Sequence, residues 1–513
     1  MLVRVIQKGV STVASLDGIV MEPGSSVMSC TAYEYGTLLT EAVEPLLAEQ
    51  AEAIIEVSDN NKVVHRLALT YKEGECYISD WGEMNLRPTV EFKRRTEKLP
   101  DRYLIIVDAG RNRNEFYKMC DLGGGEWGAT TRRIGEKQSR SRRTRNVVVT
   151  KTYPDYMFCL KHLEKRLGGY VDKSDCHSVK VIKQKNYESE VSGIDNEQVA
   201  DLLEKLMNFA NMAIKANYNV SYTDVTEVMI QQAHDALNAM RASTDIPDFN
   251  KNLISLMHII PRKIDRGGAG VTQMLARDAK DYADILIRES ELLDIMEGQI
   301  NLEKHQTNDD RNLLEKLGLE VYEATEEEMK EVRGQLNRSL QPSLRRVFRI
   351  INRRTQERFD DYLSEYEGTA GNKPEVRLFW HGSRNQNWFS IVQKGLLLNP
   401  DAVITGKMFG QGVYFAPSAV KSWGYTSGLG AIWTNGQSPV AYMALYATAY
   451  GKPYKVYHKN ESWYNYNYKR LQKEHPDCCC VHAKADCGML YNDEIIFYRE
   501  DQVSIKYICE FGA

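Results

Sequence analysis

Four short segments in the C-terminal part of this chain place glycine, aromatic and ionisable residues in a set order. They are Phe379-Trp380-His381-Gly382-Ser383-Arg384, Gly410-Gln411-Gly412-Val413-Tyr414-Phe415, Lys421-Ser422-Trp423-Gly424-Tyr425 and Leu490-Tyr491-Asn492-Asp493-Glu494. Alone, each is weak evidence, because a histidine beside glycine is usually a loop residue and an aromatic after Gly-Val is usually part of a core. Together, in this order and at these spacings, they predict one active site.

The segments lie in a region where strands dominate. The predicted elements are strands at Val347–Ile351, Val376–Trp380, Gly412–Phe415, Glu494–Tyr498 and Val503–Ile508, with a helix over Trp388–Lys394. The four segments resemble the His-Tyr-Glu signature of the poly(ADP-ribose) polymerase family, whose members transfer ADP-ribose from NAD. The resemblance implies an α+β ADP-ribosyltransferase fold over residues 345–513 and NAD as the substrate.

The reaction implied by this resemblance breaks the glycosidic bond between nicotinamide and its ribose. Positive charge develops on the sugar, and a carboxylate beside it stabilises that charge and can deprotonate the acceptor. Glu494 is the predicted carboxylate. Asp493 is the competitor, because counting forward from Leu490 puts the aspartate at the family's acidic position. Counting back from Gln502 puts Glu494 there and also brings Tyr498 into register, so the prediction of Glu494 assumes one inserted residue.

The resemblance also assigns contacts to NAD. His381 would hydrogen-bond a ribose hydroxyl and orient the substrate. Gly382 would offer its backbone to the nicotinamide amide, which requires a residue without a side chain, and Ser422 would add a hydroxyl. Tyr425 would stack on the nicotinamide ring, and Tyr414 would complete the triad from the other side.

Further features concern the adenosine end and the product. Ser383 is expected to reach the adenosine ribose, and the loop Asn399–Met408 is expected to cover the donor. Leu397 stands where relatives often carry an arginine. A glutamate as the third member of the triad resembles chain-elongating enzymes, but it permits elongation without proving it. Polymer and single-unit products therefore both remain open.

A chain of 513 residues is too long for one ordinary domain. We predict a multidomain α+β protein with an unrecognised mixed region over 1–95, a β-rich domain over 96–190, an all-α bundle over 193–335 and the catalytic fold over 345–513. Within the first region, Val3–Ile6 and Val63–Leu69 predict strands. Leu38–Glu56 predicts a helix that Pro45 interrupts.

From about residue 96 the pattern changes to strand, turn, strand and helix. The predicted elements are strands at Tyr103–Val107 and Glu115–Met119, a turn at Gly123–Gly125 and a helix over Tyr156–Leu167. The stretch Glu126–Gly135 resembles the WGR domain of DNA-break-responsive members of the family. There the Trp packs on a nucleotide sugar and the Arg relays the DNA signal. Here Trp127 keeps the first role, Ala129 stands in place of the arginine, and Arg132 or Arg133 is the expected substitute.

Charge supports a polyanion partner for this region. Residues 96–190 contain 20 Lys and Arg against 13 Asp and Glu, a net charge of +7. Because the net charge of the whole chain is −4, the remaining residues carry a net charge of −11. The cations of one run, Lys137, Arg140, Arg142, Arg143 and Arg145, follow the WGR-like stretch. Clustered cations gain affinity for phosphates through counterion release. A charge run alone is more often a solvated loop, but its position here favours DNA.

The region over 193–335 is predicted to be helical. Apolar residues recur at i, i+3 and i+4 in Val199, Leu202, Leu203, Leu206, Met207 and Ala210, and again in Ile285, Leu286, Leu292, Leu293 and Met296. Their order resembles the family's helical regulatory domain, which shields the NAD pocket until DNA binding loosens it. The glycines Gly267, Gly268 and Gly270 lack the context of a phosphate-binding loop, so we expect an interhelical loop.

Composition limits the other classes of site. No run of about 18 apolar residues occurs and the first residues lack an apolar stretch, so neither membrane anchoring nor export is expected. The ten cysteines form no small disulfide framework and favour a reducing compartment. The cluster of His475, Cys478, Cys479, Cys480, His482 and Cys487 fits no paired zinc pattern. No metal is expected, and zinc is the less favoured alternative.

The combined prediction is an NAD-dependent protein ADP-ribosyltransferase that DNA strand breaks activate and that modifies itself and other proteins. One alternative is a DNA-end-binding module with a silent transferase, suggested by Ala129, Leu397 and the displaced acid. Another is a DNA-independent mono-ADP-ribosyltransferase. In a eukaryotic cell the family resemblance favours the nucleus, and otherwise the cytoplasm. Acceptor residues and oligomeric state are not predicted.

Overall fold

The computed structural model describes residues 1–80, 91–133, 149–175, 191, 193–218, 225–264, 270–304, 312–398, 408–458, 466–487 and 490–512. The basic run at 137–145 lies outside these residues, as do most of the loop at 399–408 and the glycines at 267–268. The chain divides into two compact units. The first comprises Met1–Val179 with Met257–Met274, and the second Lys180–Leu256 with Leu275–Ala513.

The first unit is built mainly of antiparallel strands. They are β1 Leu2–Gln7, β2 Val10–Ser15, β3 Val27–Thr31, β4 Ala53–Asp59, β5 Lys62–Lys72, β6 Glu75–Asp80, β7 Glu91–Lys93, β8 Arg102–Asp108, β9 Arg113–Gly123, β10 Glu126–Arg133, β11 Val149–Pro154 and β12 Val171–Asp172. The helices are α1 Ala32–Val43 and α2 Met157–Leu167. One sheet has the order β2-β1-β4-β5-β6 and another the order β11-β10-β9-β8-β12.

Two-residue turns set the register of the first sheet. Lys8 and Gly9 join β1 to β2 with φ of 49° and 79°, and Glu73 and Gly74 join β5 to β6 with φ of 53° and 76°. Two consecutive left-handed residues form the hairpin turn whose twist matches that of the strands. Glycine takes the second position in both turns because it adopts positive φ without steric cost.

The two regions predicted over 1–95 and 96–190 share one hydrophobic core. Val3, Leu39, Trp127 and Leu160 are all buried in the same cluster, whose buried members run from Val3 to Tyr170. Helices α1 and α2 approach closely at Gly36, where a Cβ would lie 2.2 Å from the carbonyl oxygen of Tyr156. The predicted boundary at residue 95 therefore does not separate two cores.

Most local predictions for the first unit are confirmed. The predicted strands lie within β1, β5, β8 and β9, the glycine turn joins β9 to β10, and the second predicted helix is α2. The helix predicted over Leu38–Glu56 is wrong in its second half. Helix α1 ends at Val43, Pro45 lies in a short 3-10 turn, and Ala53–Asp59 is a strand between β1 and β5. Pairing on both sides overrides the helix propensity of Ala and Glu.

The second unit combines helices with two sheets. Its helices are α3 Glu197–Asn217, α4 Glu227–Ala242, α5 Ile246–Ile259 (which ends in the first unit), α6 Asp281–Lys304, α7 Leu313–Leu317, α8 Glu326–Gln335, α9 Arg353–Ala370, α10 Trp388–Lys394, α11 Ala419–Trp423 and α12 Tyr468–Glu474. Its strands are β13 Leu319–Glu323, β14 Leu344–Asn352, β15 Glu375–Gly382, β16 Val413–Phe415, β17 Val440–Tyr450, β18 Pro453–Val456, β19 Cys480–Ala483, β20 Glu494–Phe497 and β21 Val503–Gly512. They form sheets of order β13-β14-β21-β17-β15 and β16-β20-β19-β18.

The predicted helices of this unit are confirmed. Helix α3 begins where the side chain of Asn196 accepts hydrogen bonds from the backbone N–H groups of Gln198 and Val199, a standard N-cap. Its buried side chains are those of the predicted stripe: Val199, Leu202, Leu203, Leu206, Met207, Ala210 and Ile214. The long apolar stripe over 285–296 lies in α6. The helical character is thus established, and the regulatory role stays a prediction.

The catalytic sheet begins earlier than predicted. Strand β13 pairs with β14 in the same sheet, so this sheet starts at Leu319 and not near residue 345. The strand has five residues and acidic neighbours, an alternation too short to stand out from the helices around it. The five predicted strands of this region and α10 are confirmed. Among the described residues, no helix combines the length and apolarity needed to cross a membrane.

Candidate active site

Two sheets meet where the first and second signature segments lie. Strand β15 ends in His381 and Gly382, and β16 carries Tyr414. The backbones of Trp380 and Ala416 exchange two hydrogen bonds of 2.9 Å, which join the end of β15 to the end of β16. Since β16 pairs with β20, the residue that begins β20, Glu494, is brought to the same place.

His381 is held in one orientation by the backbone of its neighbour. Its Nδ1 lies 3.0 Å from the carbonyl oxygen of Tyr414, which can only accept, so Nδ1 carries the proton. Phe415 and Tyr446 place their rings 5.6 and 6.0 Å from the imidazole. In the neutral ring with this tautomer, Nε2 is a hydrogen-bond acceptor, which suits the predicted contact with a ribose hydroxyl.

Gly382 and Ser422 lock the third segment against β15. A Cβ on Gly382 would lie 1.9 Å from the carbonyl oxygen of Ser422, so no side chain fits there. The buried Ser422 hydroxyl donates to the carbonyl oxygen of Trp380 at 3.0 Å. The glycine that is predicted to contact the substrate is therefore needed for packing as well. The contact fixes α11 and brings Lys421 and Tyr425 beside the end of β15.

The carboxylate of Glu494 is buried at this junction. Its Oε1 lies 2.7 Å from Nζ of Lys421, and both side chains are largely shielded from solvent. Burial and, less strongly, the charge of Glu494 raise the pKa of Tyr425 to about 12 and hold that of Tyr414 well above its usual value. Both phenols are therefore protonated at neutral pH, and both lie close enough to Glu494 to be affected by its charge.

Asp493 faces other partners. Its Oδ1 accepts from the backbone N–H of Ala485 at 2.7 Å, and its Oδ2 contacts His482 at 2.7 Å and Lys484. Between the two acids that the sequence leaves in competition, the geometry brings Glu494 together with Tyr414 and Tyr425. Asp493 contributes no contact to that group.

Tyr414 has a second task at the edge of the site. Its hydroxyl accepts from the backbone N–H of Phe409 at 3.0 Å and donates to the carbonyl oxygen of Gly410 at 2.9 Å. The hydroxyl of Tyr498 donates to the carbonyl oxygen of Phe409 at 2.7 Å. Two tyrosines thus hold the segment that leads into β16. Tyr498, which the count back from Gln502 places in register with Glu494, therefore helps to hold this segment.

Ser383 and Arg384 lie where helix α6 packs on the signature. The Ser383 hydroxyl accepts from the Asn387 side-chain amide at 3.0 Å, and Arg384 forms an ion pair with Glu291 of α6 at 3.2 Å. Lys394 of α10 pairs with Glu297 of the same helix at 2.7 Å. A segment from the predicted helical region therefore contacts the predicted adenosine end directly. Leu397 is exposed.

Sequence reasoning missed two residues of this site. Lys421 stands inside a quoted segment, and a cation next to the residue predicted to bind nicotinamide was the available signal. Trp433 stacks on Tyr425 with ring centroids 6.2 Å apart and an interplanar angle of 26°. Its backbone N–H donates to the carbonyl oxygen of Gly424 at 3.0 Å. Nothing in the local pattern around Trp433 points to this contact, because the loop that carries it has no regular period.

The residues predicted to contact DNA lie in the first unit. The Trp127 side chain has no exposed surface: it stacks on Tyr153 at 4.9 Å, and its Nε1 donates to the carbonyl oxygen of Pro154 at 3.0 Å. A side chain packed this way has no face for a nucleotide sugar, so the burial argues against the predicted contact. The backbones of Arg132 and Arg133 complete β10, and their side chains lie outside the described part.

The cysteine and histidine cluster has other partners. His475 stacks on Tyr454 with ring centroids 3.6 Å apart, and His482 lies between Tyr450 and Asp493. Cys478 and Cys487 belong to an apolar core cluster. Across the part of the chain that is described, no group of three or more His, Cys, Asp or Glu is arranged to hold a metal ion.

Comparison with known proteins identifies relatives of the C-terminal part. The poly(ADP-ribose) polymerase catalytic domain matches residues 320–512, beginning within β13. A poly(ADP-ribose) polymerase-like protein of Invertebrate iridescent virus 6 is 32% identical over 171 residues, which cover 32% of this chain and 83% of the viral protein.

Two longer relatives match over shorter stretches. Poly(ADP-ribose) polymerase 2-A of Oryza sativa subsp. japonica is 36% identical over 110 residues, 21% of this chain and 16% of the rice protein. Poly(ADP-ribose) polymerase 1 of Gallus gallus is 31% identical over 154 residues, 26% of this chain and 14% of the chicken protein. The chain thus spans most of the viral relative and a small part of the plant and animal ones.

Proposed function

Since the chain belongs to the poly(ADP-ribose) polymerase family, whose catalytic domain is an NAD+ ADP-ribosyltransferase, we propose that it transfers ADP-ribose from NAD to proteins, itself included. The observation that carries the proposal is the buried Glu494 carboxylate, paired with Lys421 and flanked by Tyr414 and Tyr425. No other side chain of the signature offers a negative charge at this place.

The chemistry follows from these groups. The bond between C1′ of the ribose and the nicotinamide nitrogen breaks, and its electron pair leaves with neutral nicotinamide. The Glu494 carboxylate stabilises the positive charge left on the sugar. As the acceptor's oxygen bonds to C1′, the same carboxylate takes the proton from that oxygen. His381 orients the ribose through Nε2, and Tyr425 stacks on the leaving group. Lys421 holds the carboxylate in place.

We propose DNA strand breaks as the activator, with poly(ADP-ribose) as the product and a role in the response to DNA damage. The support is the WGR-like stretch after β9, the net charge of +7 over residues 96–190 and the contact of α6 with Arg384. Loosening that helix would uncover the adenosine end. In a eukaryotic cell this role corresponds to the nucleus, and otherwise to the cytoplasm.

One observation favours a second candidate, a DNA-independent mono-ADP-ribosyltransferase. The Trp127 side chain is wholly buried, and Ala129 beside it is buried too, so the two signature positions offer no surface to DNA. In this case the helices around α6 would respond to a different signal.

One experiment separates these readings. Purified protein is incubated with NAD labelled in its adenylate part, with and without nicked duplex DNA, and label on the protein is resolved on a gel. We expect long, DNA-dependent products from the wild type and none from Glu494→Gln. Single-unit products without DNA would select the second candidate. The absence of label and of released nicotinamide under all conditions would refute the transferase.

A further inference from the structure

A row of polar side chains lies behind the catalytic strand β20 and has no part in the reaction proposed above. The Tyr450 hydroxyl lies 2.6 Å from Nδ1 of His482, whose Nε2 lies 2.7 Å from Oδ2 of Asp493. Lys484 also contacts Oδ2 of Asp493. We call these four residues the polar row.

The direction of the hydrogen bonds in the polar row follows from its burial. Burial raises the pKa of Tyr450 to about 12, so its hydroxyl donates to Nδ1 of His482. Burial also lowers the pKa of His482, which leaves the ring neutral with its proton on Nε2, where it donates to Asp493. With the ammonium of Lys484 and the N–H of Ala485, the Asp493 carboxylate has three donors. Burial alone would raise the pKa of this carboxyl group, but the three donors together outweigh it, so the pKa is lowered and the group stays anionic.

The polar row acts on the residue next to the catalytic glutamate. In the antiparallel pair β19–β20, Glu494 lies opposite Ala483. Ala483 lies between His482 and Lys484 in the sequence, and both of these side chains contact the carboxylate of Asp493. Asp493 directly precedes Glu494. Adjacent residues of extended chain point to opposite faces. Because Asp493 is held on one face, the Glu494 side chain points to the opposite face. There its Oε1 lies 2.7 Å from Nζ of Lys421.

We propose that Asp493 is a positioning residue, which the polar row uses to set the direction of Glu494 without touching the substrate. This inference rests on the proposed function, because it assumes that Glu494 is the catalytic carboxylate. The proposal also gives a role to Asp493 as the residue inserted before Glu494. Asp493 anchors the start of β20, because its carboxylate accepts hydrogen bonds from His482 and Lys484.

The test compares Asp493→Asn with Asp486→Asn in the chain of 513 residues. Asp486 is an exposed carboxylate on the same connection between β19 and β20, so its replacement controls for the loss of one charge. We measure nicotinamide release against NAD concentration. Asp493→Asn is expected to lower kcat by about tenfold with KM for NAD nearly unchanged, because misdirecting a catalytic group costs rate more than binding. Asp486→Asn should match the wild type.

A second readout does not depend on turnover. Amide hydrogen exchange of Glu494–Phe497 should be faster in Asp493→Asn and in His482→Gln, and the double variant should add little, because both changes break the same row. If the wild type releases no nicotinamide, the proposed function fails, while the exchange data still report the anchoring. Unchanged kcat and unchanged exchange in Asp493→Asn would overturn the inference. So would loss of all turnover in Asp493→Asn with activity retained in Glu494→Gln, since Asp493 would then be the catalytic acid.

Discussion

At the scale of single residues, the ion pair of Lys421 and Glu494 dominates the site. The two charged atoms are 2.7 Å apart and both side chains are largely shielded from water, so the attraction is screened little. Removing one partner of such a pair leaves the other charge buried without compensation. Lys421 therefore sets the direction of the Glu494 carboxylate and compensates its charge at this buried place.

We predict that Lys421→Met lowers kcat for nicotinamide release by about 10- to 100-fold, because electrostatic groups placed at a developing charge contribute on that scale. KM for NAD should change much less. The matched control is Lys452→Met, since Lys452 also pairs with a carboxylate, Asp477, but both side chains are exposed. Equal activities of the two variants would show that Lys421 has no part in catalysis.

His258 provides a pH dependence of stability in the first unit. Its Nε2 accepts from the backbone N–H of Val107 at 3.1 Å, and burial lowers its pKa from 6.5 to about 4. Between these values the unfolded chain binds a proton that the folded chain does not. The stability contributed by the neutral ring is therefore lost as the pH falls from about 6.5 to about 4.

We predict that His258→Gln, which keeps an acceptor but cannot titrate, flattens the stability curve over this range. The pH-dependent change in the free energy of unfolding should differ between the two proteins by at most about 3 kcal/mol, which is the free energy that corresponds to the pKa difference of His258 between the folded and unfolded states. Urea unfolding at a series of pH values measures it. His458→Gln serves as the control because His458 is exposed. Parallel curves for wild type and His258→Gln would contradict the prediction.

At the scale of elements, the contacts of a helix determine whether a glycine in it can be replaced by a residue with a Cβ. Gly36 lies in α1 at the point where the Tyr156 carbonyl approaches, and a Cβ there would lie 2.2 Å from that oxygen. Gly334 lies in α8, and a Cβ there would meet nothing within 4 Å. Both positions are helical, so alanine should be favoured at each by propensity alone, by about 1 kcal/mol.

The pair therefore makes an opposed prediction. Gly36→Ala should destabilise the protein by about 2 kcal/mol or more, since the backbone oxygen cannot move aside without separating α1 from α2. Gly334→Ala should be neutral or stabilising by up to about 1 kcal/mol. Thermal unfolding of the two variants measures both. A stable Gly36→Ala variant would mean that α1 and α2 pack less closely.

Elements with a clear period could be predicted from the sequence, and others could not. The stripe of α3 repeats every three to four residues over several turns, so its helix is legible. Strand β17 is buried on both faces and has no alternation, so Val440–Tyr450 was not predicted. The stretch Ala53–Asp59 follows a helix and the helix-favouring run Ala48–Glu52, which conceals the strand preference of its Ile and Val residues, and its pairing with β1 and β5 shows that it is a strand.

At the scale of the whole molecule, composition suggests more independent parts than the packing supports. Motif resemblance divides the first 190 residues at about 95, but the buried side chains of both halves form one cluster from Val3 to Tyr170. Arg95, at the predicted boundary, is itself bound by Asp121 and Asp155, with distances of 2.7 to 2.8 Å. A boundary in sequence resemblance is not a boundary in packing.

We predict that a fragment of residues 96–179 does not fold alone, because it would expose Leu160 and Leu163, which now lie in the shared core. A fragment of residues 1–179 contains every buried member of that cluster and should unfold cooperatively. Circular dichroism and amide NMR spectra of the two fragments test this. A well-dispersed spectrum from 96–179 would contradict the shared core.

The sequence by itself determined the reaction class and the residues available for it, because His381, Tyr414, Tyr425 and the acid pair stand in recognisable segments. The tertiary structure decided which acid faces them, that Lys421 pairs with it and that Trp127 is buried. These facts depend on which strands pair across long stretches of chain and which face each side chain then takes. A local pattern shows that a residue can be buried or charged. Only the fold determines its neighbours, and neighbours decide whether a carboxylate is a catalyst or an anchor.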